Sequence, residues 1–190
     1  MLRTGIVLLL GLVSLTAYAQ APASVEGTVT AVLMDRLQWK ADDGSSHQAV
    51  LPADVVVTRR LTVAAADIHP GDWVGIDSVP GADGGQQSVA INVFSPKMVA
   101  RVRKGQFTMA SGDLMTNAPV DQISGEGDGS RLVLKNADAM VPFSITASTV
   151  IHRMIDGSAS DLKPGARVSI RGTLNPDGSV QAAFVSVLLP

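Results

Sequence analysis

Three histidines, His47, His69 and His152, are the first side chains to weigh as catalysts or metal ligands, since imidazole titrates near neutral pH and binds divalent metals. His47 and His152 fall in β-rich stretches and His69 in a Pro-Gly turn, with none of the short spacings that set two imidazoles on one metal. That pattern points to surface or hydrogen-bonded histidines, although a distant pair could still meet in space. Cysteine is absent, which excludes a thiol nucleophile, a disulfide and a lipid-attachment thiol. The chain has no Gly-x-Ser-x-Gly elbow ahead of a helix, no phosphate loop and no pair of carboxylates in an acid and base context. A non-enzymatic protein without a cofactor is therefore expected. Thioethers suit Cu(I), but Met34, Met98, Met109, Met115, Met140 and Met154 are dispersed, as methionines that fill irregular cores are. If a metal binds, Met109 and Met115 with a nearby histidine are the candidate ligands.

The segment 95–118 has a different chemistry. It carries four basic residues, Lys97, Arg101, Arg103 and Lys104, against one acidic, with Met98, Phe107, Met109 and Met115 set between glycines and serines. A long segment of this kind is either functional or a linker. In the functional reading it is a docking strip or lid whose partner-binding residues are Lys97, Arg101, Arg103, Lys104 and Phe107. In the other it is a solvated linker. Alternation over 99–104 suggests that it adds a strand to a neighbouring sheet.

The elements on either side of this segment repeat one another. Asp67-Ile68-His69-Pro70-Gly71-Asp72-Trp73-Val74 returns as Asp161-Leu162-Lys163-Pro164-Gly165-Ala166-Arg167-Val168, and 161 minus 67 is 94. At the same offset Val56-Val57-Thr58-Arg59 matches Val150-Ile151-His152-Arg153, and Asp83-Gly84 matches Asp177-Gly178. A repeat of this length is a whole small domain, because solenoid units run to roughly 20–50 residues. In the repeated motif the aspartate is read as a cap on a short helical turn, and Pro-Gly as the turn into the next strand. A fold determinant must recur in each copy, whereas a site need occur only once.

Each half reads as six short strands rich in Val, Ile, Thr and Ala, at 25–32, 36–40, 47–51, 55–58, 72–79 and 88–94, and again at 120–125, 131–135, 140–146, 149–152, 167–174 and 180–188. One-turn helices are expected at 63–68 and 158–162. The expected fold is all-β: two tandem six-stranded OB-like β-barrels, at 25–94 and 119–190, joined by the basic connector 95–118. Closure of each barrel removes edges that would otherwise aggregate. Trp39 and Trp73 are expected to be at least partly buried.

Met1-Leu2-Arg3, an apolar stretch over 6–15 and Ala17-Tyr18-Ala19 read as a signal peptide over residues 1–19. The mature chain would then carry 14 basic and 17 acidic side chains, too acidic for a nucleic-acid partner. After Gln20 no segment is long and apolar enough to cross a membrane.

The run Gly27-Thr28-Val29-Thr30-Ala31-Val32, the motif Ala66-Asp67-Ile68-His69-Pro70-Gly71-Asp72-Trp73 and the strand Val89-Ala90-Ile91-Asn92-Val93-Phe94 resemble the exported bacterial family catalogued as domain of unknown function 5666. Sequences similar to this one also carry a Ser-Pro-x-x connector leading to Met-Thr-Asn, here Phe94-Ser95-Pro96-Lys97 and Met115-Thr116-Asn117. The resemblance implies tandem copies and a fold, not a chemistry. The expected function is a periplasmic or secreted binding module whose partner is an envelope protein. The alternative is a metal or small-ligand carrier in the same compartment.

Overall fold

The computed structural model of the chain describes residues 22–81, 84–125 and 129–189, without the side chains of residues 22 and 23. The expected signal segment and Asp83 lie outside the described residues. As expected, the fold is all-β. The strands are β1 (Pro22–Leu33), β2 (Arg36–Ala41), β3 (Ser46–Val50), β4 (Val56–Thr62), β5 (Trp73–Pro80), β6 (Gln86–Val93), β7 (Gly105–Thr108), β8 (Leu114–Ser124), β9 (Arg131–Asn136), β10 (Ala139–Ser144), β11 (Val150–Asp156), β12 (Arg167–Leu174) and β13 (Val180–Leu188). One short helix, α1 (Pro96–Val99), lies in the connector, and single 3-10 turns fall at Ala65–Asp67 and Ala159–Asp161.

The strands close into rings, but not within each half. Strands β8, β9 and β10 of the second half form a closed five-stranded barrel with β5 and β6 of the first. Reciprocally, β1, β2 and β3 form a ring with β12 and β13. Two tandem six-stranded barrels, each closed on its own half, are therefore not the arrangement found. The sixth strand of each half serves as a bridge: β4 lies parallel to β13, β11 lies parallel to β6, and β4 and β11 run antiparallel to each other. In that central pair Arg60 faces Met154. These are equivalent positions in the repeat, because 154 minus 60 is 94. A strand pair centred on equivalent residues maps onto itself when the halves are exchanged, so an approximate two-fold axis passes through it.

Edges explain why this arrangement is stable. A β4 paired only with the last strand of its ring would leave its other side open, a template for aggregation. Joining β4 to β11 covers both strands and makes one continuous sheet of two rings. Inside each ring the alternation is obeyed. Leu37 and Trp39 on β2 pack with Val168, Ile170 and Val185 in one core, and Leu132 and Leu134 on β9 pack with Val74, Ile76 and Ile91 in the other. Trp39 is 1% exposed and Trp73 half-buried, as expected.

The repeated Asp and Pro-Gly motif forms the hinge at which the chain leaves one ring for the other. Asp67 accepts from the Ala64 N–H at 2.8 Å and Asp161 from the Ser158 N–H at 2.8 Å, closing the two 3-10 turns. Gly71 and Gly165 adopt φ of +90° and +88°, a conformation open to glycine at little cost. Their amides donate across the exchange, Gly71 to the Val120 carbonyl and Gly165 to the Val29 carbonyl, each at 2.9 Å. In one hinge only, Arg153 of β11 donates to Asp72 at 2.8 Å and to the Asp67 carbonyl at 2.6 Å. Burial alone would raise the Asp72 carboxyl, but hydrogen bonds from Arg153 and the His69 N–H, with the charge of Arg153, hold it below its usual range.

Two measurements check this arrangement. Ser24 faces Arg171 across the exchanged pair, and closure within one half would set it against Asp77, the counterpart of Arg171, since 171 minus 77 is 94. Under mild oxidation the double variant Ser24→Cys with Arg171→Cys should cross-link within the chain, and Ser24→Cys with Asp77→Cys should not. A carboxyl whose folded pKa is depressed stabilises the fold above its unfolded value and ceases to as pH falls through the folded value. Asp72→Asn should therefore cost about 1 kcal/mol in urea unfolding at pH 7. The deficit should shrink below about pH 4.

Candidate functional site

The connector is not a free linker. Pro96 starts α1, the Ser95 hydroxyl accepts from the Met98 N–H at 3.4 Å, and Met98 is driven fully into a third apolar cluster with Val56 and Met154. Phe94, Val102 and Phe184 pack around that cluster. Since Met154 sits on the two-fold axis, the connector is pinned over the junction of the rings. It then adds a strand, as expected, but at Gly105–Thr108, where β7 pairs with β8, and not over 99–104.

This route spreads out the four cations expected to form a docking strip. Arg101 is ion-paired with Asp54 at 2.8 Å. Arg103 lies over the Phe107 ring at 4.4 Å and Lys104 over the Trp73 ring at 5.1 Å. Lys97 is exposed and, among the described residues, makes no ion pair or ring contact. Three of the four are thus engaged by the chain itself.

Between the connector and the sheet lies a cavity of about 280 Å³. Its roof is Arg101, Val102, Arg103, Phe107 and Met109 from the connector. Its floor is Gly75, Asn92 and Phe94 from the first half and Met115 and Asn117 from β8. Arg171 and Phe184, from the other ring, close one wall. Of the residues predicted from sequence, the cavity gathers Arg101, Arg103, Phe107, Met109 and Met115, and it does not include Lys97 or Lys104.

The electrostatics of this cavity are one-sided. Three arginines are among its lining residues and no acidic residue is, while the Arg101 guanidinium is paired with Asp54 outside the lining. Arg171 lies over the Phe184 ring at 5.4 Å. The residue as a whole is exposed, yet desolvation of its guanidinium, and then the like charge of Arg60, push its pKa down. Among the described residues neither Arg103 nor Arg171 makes an ion pair. Guanidinium groups stacked on aromatic rings keep their planes fixed and their N–H forks free for an oxyanion. Asn117 is 6% exposed; its amide donates to the Arg103 carbonyl at 2.6 Å, while its side-chain oxygen has no partner.

No histidine lines the cavity, so Met109 and Met115 meet there without the expected imidazole. His47 stacks on Trp39 with its Nε2 2.7 Å from the Ser45 hydroxyl, and His69 stands beside Asp72 at 4.0 Å. His152 sits on β11, its pKa pushed down by burial and then by Arg60. Among the described residues no three His, Asp or Glu side chains gather as a metal site would require.

Sequence reasoning missed Arg171, Phe184, Gly75 and Asn117. The signal was a departure from the repeat: Arg171 stands where the first half has Asp77, and Phe184 where it has Ala90.

Residues 118–186 match the model of a family described as Domain of unknown function (DUF5666). The matched stretch begins within β8 and ends within β13, so it contributes strands to both rings. No curated protein matches the chain. No solved structure matches it either.

The floor offers a stability test. A Cβ at Gly75 would collide with the Phe94 ring and stand 2.6 Å from the Asn117 side-chain oxygen. Gly75→Ala should cost about 1–3 kcal/mol in urea unfolding, the usual penalty of overpacking.

Proposed function

We propose that the chain is an exported, non-enzymatic binding module, with 25–94 a diverged second copy of the domain matched at 118–186, and that it holds a small organic anion beneath the connector. The observation that carries this reading is a cavity lined by three arginines and no carboxylate, in which Arg103 and Arg171 make no ion pair among the described residues. Both residues are exposed, so their guanidinium groups can be reached from solvent. An oxyanion would pair with them, and the rings of Phe94, Phe107 and Phe184 would hold an apolar body. At about 280 Å³ the space lies just below the range of pockets for drug-sized ligands, which suits a ligand of a dozen or so heavy atoms.

This reading favours a small-ligand carrier over a protein docked on the connector. An exposed basic strip acts mainly on encounter rate and salt dependence. Here Arg101 and Lys104 are engaged in holding the connector to Asp54 and Trp73. A metal is less well supported, because Met109 and Met115 have no imidazole beside them. The signal-like stretch over 1–19 supports export and the periplasm or exterior as the place of action.

Titration calorimetry tests the reading. The purified protein should bind 3-phenylpropionate and not bind neutral 3-phenylpropanol. Arg103→Gln and Arg171→Gln should each weaken the acid by about tenfold or more, since a charge-assisted hydrogen bond contributes about 1.5–3 kcal/mol. Equal binding of acid and alcohol would overturn it.

A further inference from the structure

The ring of β1, β2, β3, β12 and β13 closes between β3 and β13 through only two residue pairs, Ala49 with Val180 and Val50 with Gln181. Ahead of them the turn at 177–179 and the start of β3 are not paired with each other, and a cleft of about 490 Å³ opens there. It shares no lining residue with the cavity beneath the connector. Arg36 and Gln38 stand on the outer face of β2, alternating with buried Leu37 and Trp39, and Gln38 faces Gln48 on β3. These three side chains and Asp177 line the cleft, and none of the four residues is buried.

The polar groups here are fixed or unengaged. Asp177 Oδ1 accepts from the Ser179 hydroxyl at 2.7 Å and from the Ser179 N–H at 2.9 Å, bonds that hold the carboxyl below its usual pKa range. Among the described residues its Oδ2 accepts no hydrogen bond, and the side chains of Arg36, Gln38 and Gln48 make neither a hydrogen bond nor an ion pair. The cleft therefore offers an acceptor, a guanidinium fork and two amides that each donate and accept. Arg36 and Asp177 offset one another in charge. The other ring has no such face. One step along from buried Leu132, as Gln38 is from Leu37, its corresponding cross-strand pair is Val133 with Pro142. Two amides present in one copy alone are not a requirement of the fold.

We propose that this cleft is a second binding site, for a neutral saccharide whose neighbouring hydroxyls are held by Arg36, the paired amides of Gln38 and Gln48, and Asp177 Oδ2. Each sugar hydroxyl both donates and accepts, as the amides do. A zwitterion would use Arg36 and Asp177 and leave both amides unmatched. At about 490 Å³ the space falls within the range of small-molecule sites.

Amide chemical shifts of the isotope-labelled protein test this, with cellobiose, maltose and N,N′-diacetylchitobiose as neutral probes and diglycine as the zwitterion. At least one disaccharide should move the amides of 36–38, 46–48 and 177–179 in a saturable way, and diglycine should not. Gln38→Val, which installs the residue type of the corresponding place in the other ring, should weaken that disaccharide about fivefold or more. Saturable shifts with diglycine and none with the sugars would overturn the saccharide in favour of a zwitterion. Shifts confined to other residues, or none with any disaccharide, would overturn the site. If Gln38→Val does not fold, the probe series on the wild type still decides. Because the two sites share no residue, binding or rejection of 3-phenylpropionate leaves this outcome unaffected.

Discussion

The antiparallel pairing of β4 with β11 is the constraint on which the rest of this structure depends. It runs from Thr58 opposite Asp156 to Thr62 opposite His152 and is the bridge between two otherwise separate rings. Because it is made of equivalent strands from the two halves, it brings those halves into an approximate two-fold arrangement. Once the bridge is made, each chain half must cross it, and the last two strands of each half complete the ring begun by the other. The glycines of the repeated hinge then make their hydrogen bonds to the partner half, which ties hinge geometry to exchange.

A consequence follows for the outer face of the joined sheet. Side chains pointing out of the rings, such as Phe94, Phe184, Val56 and Met154, would lie in water along the seam if nothing covered them. The connector covers them. Met98 goes into that seam and β7 extends the sheet beside β8, so the segment that links the two halves in sequence also seals their junction in space. Sealing is incomplete between the connector and the sheet, and the cavity is the space that remains. Site and connector thus share one cause.

Much of the fold was legible in the residues. Alternation located most strands within a few positions, the Asp and Pro-Gly motif marked both turns, and the offset of 94 announced equivalent units, but β8 begins at Leu114, inside the expected connector and not at 120. Which half each strand pairs with was not legible, and the repeat itself is the reason. When Val168 and Val74 occupy equivalent strands of near-identical pattern, the pairing of β1 with β12 and its pairing with β5 bury the same kinds of surface. Local sequence does not separate two arrangements that differ only in connectivity. The connector residues of the site were legible as an unrepeated basic and apolar run. Arg171 and Phe184 were not, because only the exchange carries β12 and β13 to the connector.

The repeat also shows how the two equivalent positions came to differ. The two-fold counterpart of Asn117 is Glu26: each faces an equivalent residue of the neighbouring strand, Gly75 in one case and Ser169 in the other. Glu26 is ion-paired with Arg60 at 2.8 Å, and next to Ser169 the Ser186 hydroxyl is bonded to that of Thr58 at 2.9 Å. At the counterpart position the polar groups therefore satisfy one another. Opposite it, an amide replaces the carboxylate, a glycine replaces the serine, and Arg171 takes the place of Asp77. Each of these differences removes negative charge or internal hydrogen bonding, or adds a cation. Duplication supplies two equivalent positions; the side chains pair with one another at one and, among the described residues, leave Arg171 without an ion pair at the other.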